Sequence, residues 1–176
     1  MSIDLKALER RISNLEDQQK VRELLLRYAH LLDTQRTQLV AQEIFAADAV
    51  LDFGTGRLEG RDAIHAFYMG FSGAMLGTSH NLTNIQIEVD GDRARSLCRA
   101  MAWHWFHPAD PTGALGPSDL LAVGGYQDEL RRESAGWRIC HRRSVQFGTG
   151  IGVGTPSDAI RPIFEGLMGR LPTWPS

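Results

Sequence analysis

The sequence predicts an α+β domain in which a curved antiparallel sheet wraps around helices that come first in the chain. Three observations carry this. Apolar spacing is helical up to about residue 77 and alternates afterwards. Four long alternating segments then follow one another with no helical stretch between them, so neighbours pair antiparallel through short connections. Turn residues separate them, Asp90-Gly91-Asp92 and Gly136 among them.

The helices come first. Leu5, Leu8, Ile12 and Leu15 recur at spacings of three and four with charges between them, a narrow stripe of the coiled-coil kind. It is too short to hold a helix alone, so it packs on its own domain or on a second subunit. Val21, Leu24, Leu25, Tyr28, Leu31 and Leu32 continue as a broader stripe able to cover a sheet. The pattern breaks over 33–37, and Thr37 is placed to cap a short helix running to Phe45. Residues 49–53 read as a short strand closed by Gly54-Thr55-Gly56, and Ile64, Phe67, Tyr68 and Phe71 mark one side of the next helix.

Strands are expected over 79–89, 93–107, 120–132 and 137–147, with a loop over 108–117. In the second strand Ala94, Ser96, Cys98, Ala100 and Ala102 face one way, and Leu97, Met101, Trp103 and Trp105 the other. The glycines from Gly148 to Gly154 make a flexible loop, a candidate lid. A short helix over 157–168 precedes a tail holding Pro172 and Pro175.

A chain of 176 residues has the length of one domain, 1–176, with a core over about 5–148 and a loop, short helix and tail over 149–176. A net charge of −2 speaks against nucleic acid or an anionic membrane as partner. No apolar run approaches the roughly 20 residues that cross a bilayer. The charged, amphipathic start is unlike a signal peptide, so the cytoplasm is the expected location. Cys98 and Cys140 lack metal-ligand spacing and read as buried free thiols. His104 and His107, three apart on a strand, face opposite sides and pair poorly on a metal. No metal or cofactor is expected.

Several runs then resemble one superfamily. They are Arg27-Tyr28-Ala29-His30-Leu31-Leu32-Asp33, Ile44-Phe45-Ala46-Ala47-Asp48-Ala49-Val50, Leu58-Glu59-Gly60-Arg61-Asp62-Ala63-Ile64 and Ser79-His80-Asn81-Leu82-Thr83-Asn84. Asp90-Gly91-Asp92-Arg93-Ala94, Gly125-Tyr126-Gln127-Asp128-Glu129-Leu130 and Gly136-Trp137-Arg138-Ile139 complete them. In order and spacing they resemble the nuclear-transport-factor-like superfamily, and within it the SnoaL-like branch. The resemblance implies a cone-shaped α+β barrel around a deep, mostly apolar central pocket. Its members include scytalone dehydratase, hexachlorocyclohexane dehydrochlorinase, a bile-acid dehydratase, isomerases, polyketide cyclases and non-catalytic binding domains, so the fold alone does not set the function. The dehydratase and dehydrochlorinase members pair an aspartate ending the long helix with a histidine on the following sheet, positions matched here by Asp33 and His80. In the bile-acid dehydratase a tyrosine stands five residues before that aspartate, the position of Tyr28 here. A pocket arginine on the last strand is also implied, and Arg143 is the choice here.

A His–Asp pair suits proton removal from carbon. The carboxylate fixes the imidazole tautomer and stabilises the imidazolium that forms. Alternation puts His80 on the opposite face from Ile85, Ile87 and Val89, so an inward His80 requires a bulge between them. Tyr28 is a donor for a leaving oxygen or an enolate, or else a core aromatic. Trp137, Ile139, His141, Arg143 and Val145 share a face, so His141 and Arg143 point inward if Trp137 does. A buried arginine then asks for an anion or an acid. Asn84, Trp103 and Trp105 join His141 and Arg143 as expected substrate-binding residues.

The expectation is a cofactor-independent lyase, a dehydratase or dehydrohalogenase, acting on a small hydrophobic, cyclic substrate. The alternatives are an isomerase or polyketide-type cyclase using the same base, and a non-catalytic ligand-binding domain. A homo-oligomer, dimer or trimer, is expected from the 5–15 stripe and from the family's habit of associating through its sheet.

Overall fold

Asp4 caps the first helix by accepting the Ala7 N–H at 3.1 Å, and α1 (Leu5–Asp33) then runs unbroken for 29 residues. The structure is a computed structural model that describes residues 4–53, 56–106, 108, 116 and 119–145. The glycine loop, short helix and tail expected after residue 147, and nearly all of the 108–117 loop, lie outside the described residues. Both apolar stripes read from the sequence sit on α1, and only the second is buried, through Val21, Leu25, Tyr28, Leu31 and Leu32.

A short 3₁₀ turn (Thr37–Leu39) leads into α2 (Val40–Ile44), then β1 (Phe45–Asp52), β2 (Arg57–Glu59) and α3 (Arg61–Gly73). Thr37 does not cap this helix: it lies buried within the 3₁₀ turn, and neither segment has a side-chain cap. The sheet continues through β3 (Gly77–Asp90), β4 (Arg93–Trp105), β5 (Leu120–Glu133) and β6 (Gly136–Val145). Gly91, at φ +57°, opens the two-residue turn between β3 and β4, a conformation that glycine adopts without strain.

The α+β class stands, with one correction to the sheet. The strand order is β2-β1-β6-β5-β4-β3, and β1 runs parallel to β6 while every other pairing is antiparallel. The sheet is mixed because β1 and β6 lie far apart in sequence, so no tight turn dictates their relative direction. The core lies between the helices and the inner face of the sheet, where Leu25, Leu31, Ile44, Phe45, Leu51, Ile64, Leu130 and Ile139 are fully enclosed.

Asp17 fastens α1 to the far end of the sheet. Its buried carboxylate receives both terminal nitrogens of Arg132, at 2.8 and 2.5 Å, while the guanidinium lies 4.6 Å from the Trp137 ring centre. The hydrogen bonds from Arg132 hold the Asp17 carboxyl below its ordinary pKa, against the opposing effect of burial. Cys98 and Cys140 are free thiols, but only Cys98 is buried; Cys140, the extra residue of its strand, is half-buried. Among the described residues no helix is long and apolar enough to cross a membrane.

Two bulges decide which residues face inward. In β3, Thr83 pairs with Arg99 and Gln86 with Leu97, so Asn84 and Ile85 together oppose Cys98. Asn84 takes φ +51° to do this. In β6, His141 pairs with Glu129 and Ile139 with Leu130, leaving Cys140 as the extra residue.

Candidate active site

Helix α1 stops where Gln35 adopts a left-handed φ of +55°. The amides of Thr34 and Arg36 fold back onto the carbonyls of His30 and Leu31, at 3.0 and 2.8 Å. Asp33 is thereby the last helical residue, beside the start of β3. Its carboxylate accepts three hydrogen bonds from that strand. Oδ1 takes the Thr78 hydroxyl at 2.9 Å and His80 Nδ1 at 2.7 Å, and Oδ2 takes the His80 backbone N–H at 2.8 Å. Burial alone would raise the Asp33 pKa, but the donors of His80 and Thr78 outweigh it and hold the carboxyl below its ordinary value. With Nδ1–H committed to the carboxylate, a neutral ring carries its lone pair on Nε2. The bulge at Asn84 is the break in register that an inward His80 requires: upstream of it His80 shares the inner face with Leu82, downstream Ile85, Ile87 and Val89 do.

The His80 side chain is only 4% exposed, and the ring lines a cavity of about 110 Å³. One wall is the inner face of β4 and β5, built from Ala100, Ala102, Ala122 and Gly124. The opposite wall is aromatic, with Phe53, Phe67, Tyr68 and Phe71 beside Tyr28. Small residues on the sheet side leave room that the aromatic rings on the other side do not fill.

Arg142 and Tyr126 line the cavity as well. Arg142 is fully buried against an equally buried Asp128, with Nε–Oδ1 at 2.8 Å and Nη2–Oδ2 at 2.9 Å. Burial works against its charge, and the paired carboxylate more than offsets that. Its guanidinium lies 4.2 Å from the ring centres of both Tyr28 and Tyr126. The remaining nitrogen, Nη1, is buried without a hydrogen-bond partner among the described residues. The Tyr68 hydroxyl donates to the Tyr28 oxygen at 3.1 Å, which leaves the Tyr28 proton for another acceptor. Burial raises the Tyr68 and Tyr126 hydroxyls well above the ordinary phenol range, so both stay protonated. His104, with its ring centre 5.7 Å from that of His80, is pushed down to about 4, first by burial and then by His80, and is neutral at neutral pH.

The structure thus brings Tyr28, Asp33 and His80 together. The five residues assigned to substrate binding, Asn84, Trp103, Trp105, His141 and Arg143, do not line the described cavity. Asn84 is exposed because it is the bulge residue itself. Trp103 and Trp105 stack on each other, ring centres 6.3 Å apart, on the face of β4 opposite Ala102 and His104. The extra residue at Cys140 rotates the rest of β6, so Arg142 and Ser144 point inward in place of His141 and Arg143.

Arg142, Asp128, Tyr126, Tyr68 and His104 line or support the site although the sequence assigned none of them to it. Two of them carried a usable signal. His104 alternates with Ala102, and Asp128 alternates with Leu130 on a strand whose apolar face is buried.

The sequence over 13–143 matches the family model described as the SnoaL-like domain. An NTF2-like protein with a cystatin-like fold from Novosphingobium aromaticivorans superposes with a TM-score of 0.67 at 25% identity, covering 93% of this chain and 98% of that one. A protein of the same organism, provisionally named scytalone dehydratase, gives 0.65 at 21% identity over 84% of this chain and 97% of the other. Another, provisionally named an aromatic ring hydroxylase, gives 0.68 at 23% identity over 85% and 97%. These last two likenesses speak for the fold alone. The search among curated proteins returned no match.

Proposed function

The chain belongs to the SnoaL-like domain family, and from that premise we propose that it is a lyase using His80 to remove a carbon-bound proton from a small hydrophobic, cyclic substrate. The observation that carries the reading is the 2.7 Å contact between His80 Nδ1 and Asp33, made by a ring that lines an apolar cavity. The Asp33 carboxylate is held by three donors, so the ring meets substrate already oriented and with Nε2 as the base.

In the elimination, Nε2 takes the proton, the C–H electron pair forms the double bond, and the neighbouring C–O or C–halogen bond breaks with its pair. A departing hydroxide takes a proton back from the His80 imidazolium and leaves as water. A departing halide leaves the proton on His80, from which solvent removes it. Tyr28 donates to the leaving atom or to an adjacent carbonyl. Arg142 Nη1 supplies a second donor where negative charge develops, in a cavity whose low polarity strengthens both.

The test is turnover of a panel of cyclic β-hydroxycarbonyl and haloalkane compounds, followed by mass and by incorporation of solvent deuterium. His80→Ala and Asp33→Asn should each lower turnover by roughly 10²–10⁴-fold, the usual worth of a positioned base, with the circular dichroism spectrum and ligand affinity retained. Elimination at the wild-type rate in both variants would sink the reading. Deuterium exchange without elimination would assign the same base to an isomerase or cyclase.

A further inference from the structure

Helix α1 buries no residue before Asp17, and its first hydrogen bond to the sheet is that of Asn14 to the Val89 carbonyl, at 3.2 Å. The turns before it nonetheless carry Leu5, Leu8, Ile12 and Leu15, which are 67, 43, 48 and 64% exposed. At about 100° per residue these four fall within a sector about 80° wide. The face that meets the protein's own sheet, marked by Val21, Leu25, Tyr28 and Leu32, lies roughly 150° away. The stripe therefore points away from its own domain. Among the described residues nothing buries these three turns, which are marginal in water on their own.

We propose that the 5–15 stripe is the seam of a parallel, two-stranded coiled coil with a second copy of this chain. The spacing is that of a heptad, with Leu5 and Ile12 at one seam position and Leu8 and Leu15 at the other. Leucine at the second position with a β-branched residue at the first favours two strands. The charges select the direction. Glu9, Glu16 and Glu23 line one flank at heptad spacing, and Arg11 and Gln18 line the other, with Asp4 at the free end.

A parallel two-fold pair sets each flank against the opposite flank of its partner, so Arg11 meets Glu16 of the second copy twice by symmetry. Its one unfavourable meeting, Asp4 with Glu9 of the second copy, lies at the exposed end, where solvent screens it. An antiparallel pair would face glutamates with glutamates and Arg11 with Arg11. Gln19 and Arg22 occupy the next seam positions, so the helices part beyond Leu15 and each domain sits on the outer side of its own helix. The seam is smaller than the roughly 1,600 Å² of a standard interface, which makes the association reversible and dependent on concentration.

Sedimentation velocity over a wide concentration range tests this. The wild-type chain should show a monomer–dimer equilibrium, and Ile12→Glu should be monomeric throughout, keeping cooperative unfolding of the domain while losing helical circular dichroism by no more than the first three turns. Arg11→Glu and Glu16→Arg should each weaken dimerisation roughly tenfold, and the two together should restore it. A wild-type chain that stays monomeric, or an oligomer that survives Ile12→Glu, overturns the proposal. An oligomer lost on Trp103→Glu but kept on Ile12→Glu also overturns it, moving the contact to the other face of the sheet. Failure of the charge-swapped double variant to recover overturns parallel pairing.

Discussion

His104 makes the stability of this fold depend on pH in a window where the carboxylates contribute little. Its side chain lies at the cavity between Phe71 and His80, and burial followed by the neighbouring His80 lowers its pKa from 6.5 to about 4. The unfolded chain therefore binds a proton at this residue below about pH 6.5, whereas the folded protein does not until about pH 4. Folding then opposes protonation, and stability falls as the pH drops from about 6.5 to about 4. Each pH unit well inside that window is worth about 1.4 kcal/mol, so the step from pH 7 to pH 5 removes about 2 kcal/mol.

Asp33 acts elsewhere. Its folded pKa lies below the ordinary 3.8, so the stability it contributes is present above that value and is lost only as pH falls further. Urea unfolding of the wild type and of His104→Gln at several pH values between 7 and 5 checks this. Glutamine cannot titrate, so the variant should lose about 2 kcal/mol less across the window, whatever its absolute stability. Equal losses in the two proteins, or a His104 ring seen by NMR to titrate near 6.5, would refute the reasoning.

The remaining predictions concern the cavity walls. Arg142→Met leaves the Asp128 carboxylate buried and unpaired, and should destabilise the fold by about 3–5 kcal/mol; Arg142→Met combined with Asp128→Leu should recover most of that loss in denaturant unfolding. Ala102→Leu places a branched side chain where ligand is expected, beside His80. It should abolish ligand binding in calorimetry while changing stability by no more than about 1–3 kcal/mol.

What the sequence hides here is mostly register. The helical stripes, the four long strands and the hairpin at Asp90-Gly91 are legible because each rests on local periodicity or turn chemistry. Asp33 and His80 are found by their resemblance to known positions, and counting residues along β3 also identifies the bulge they need. Counting fails on β6, since nothing in the run Ile139-Cys140-His141 marks one residue as supernumerary, and the inward arginine moves from Arg143 to Arg142. Size misleads on β4: large aromatics suggest the interior, yet a cavity wall requires small residues, and the alanines face inward while Trp103 and Trp105 do not. The parallel pairing of β1 with β6 joins segments that share no turn, so no local signal announces it.

The bulge at Asn84 divides β3 into two lengths with separate obligations. The length from Ile85 to Asp90 is tied by its turn to β4 and packs its apolar residues on the core. The length from Gly77 to Thr83 holds the imidazole against the end of α1. A change of one residue in the upstream count leaves the hairpin half undisturbed and turns His80 to the opposite side of the sheet. With His80 as the proposed base, a single insertion or deletion there would give a well-folded chain whose base no longer meets the cavity. Among chains of this fold, the residue count between the histidine and the bulge, rather than overall similarity, decides which present a histidine to the cavity.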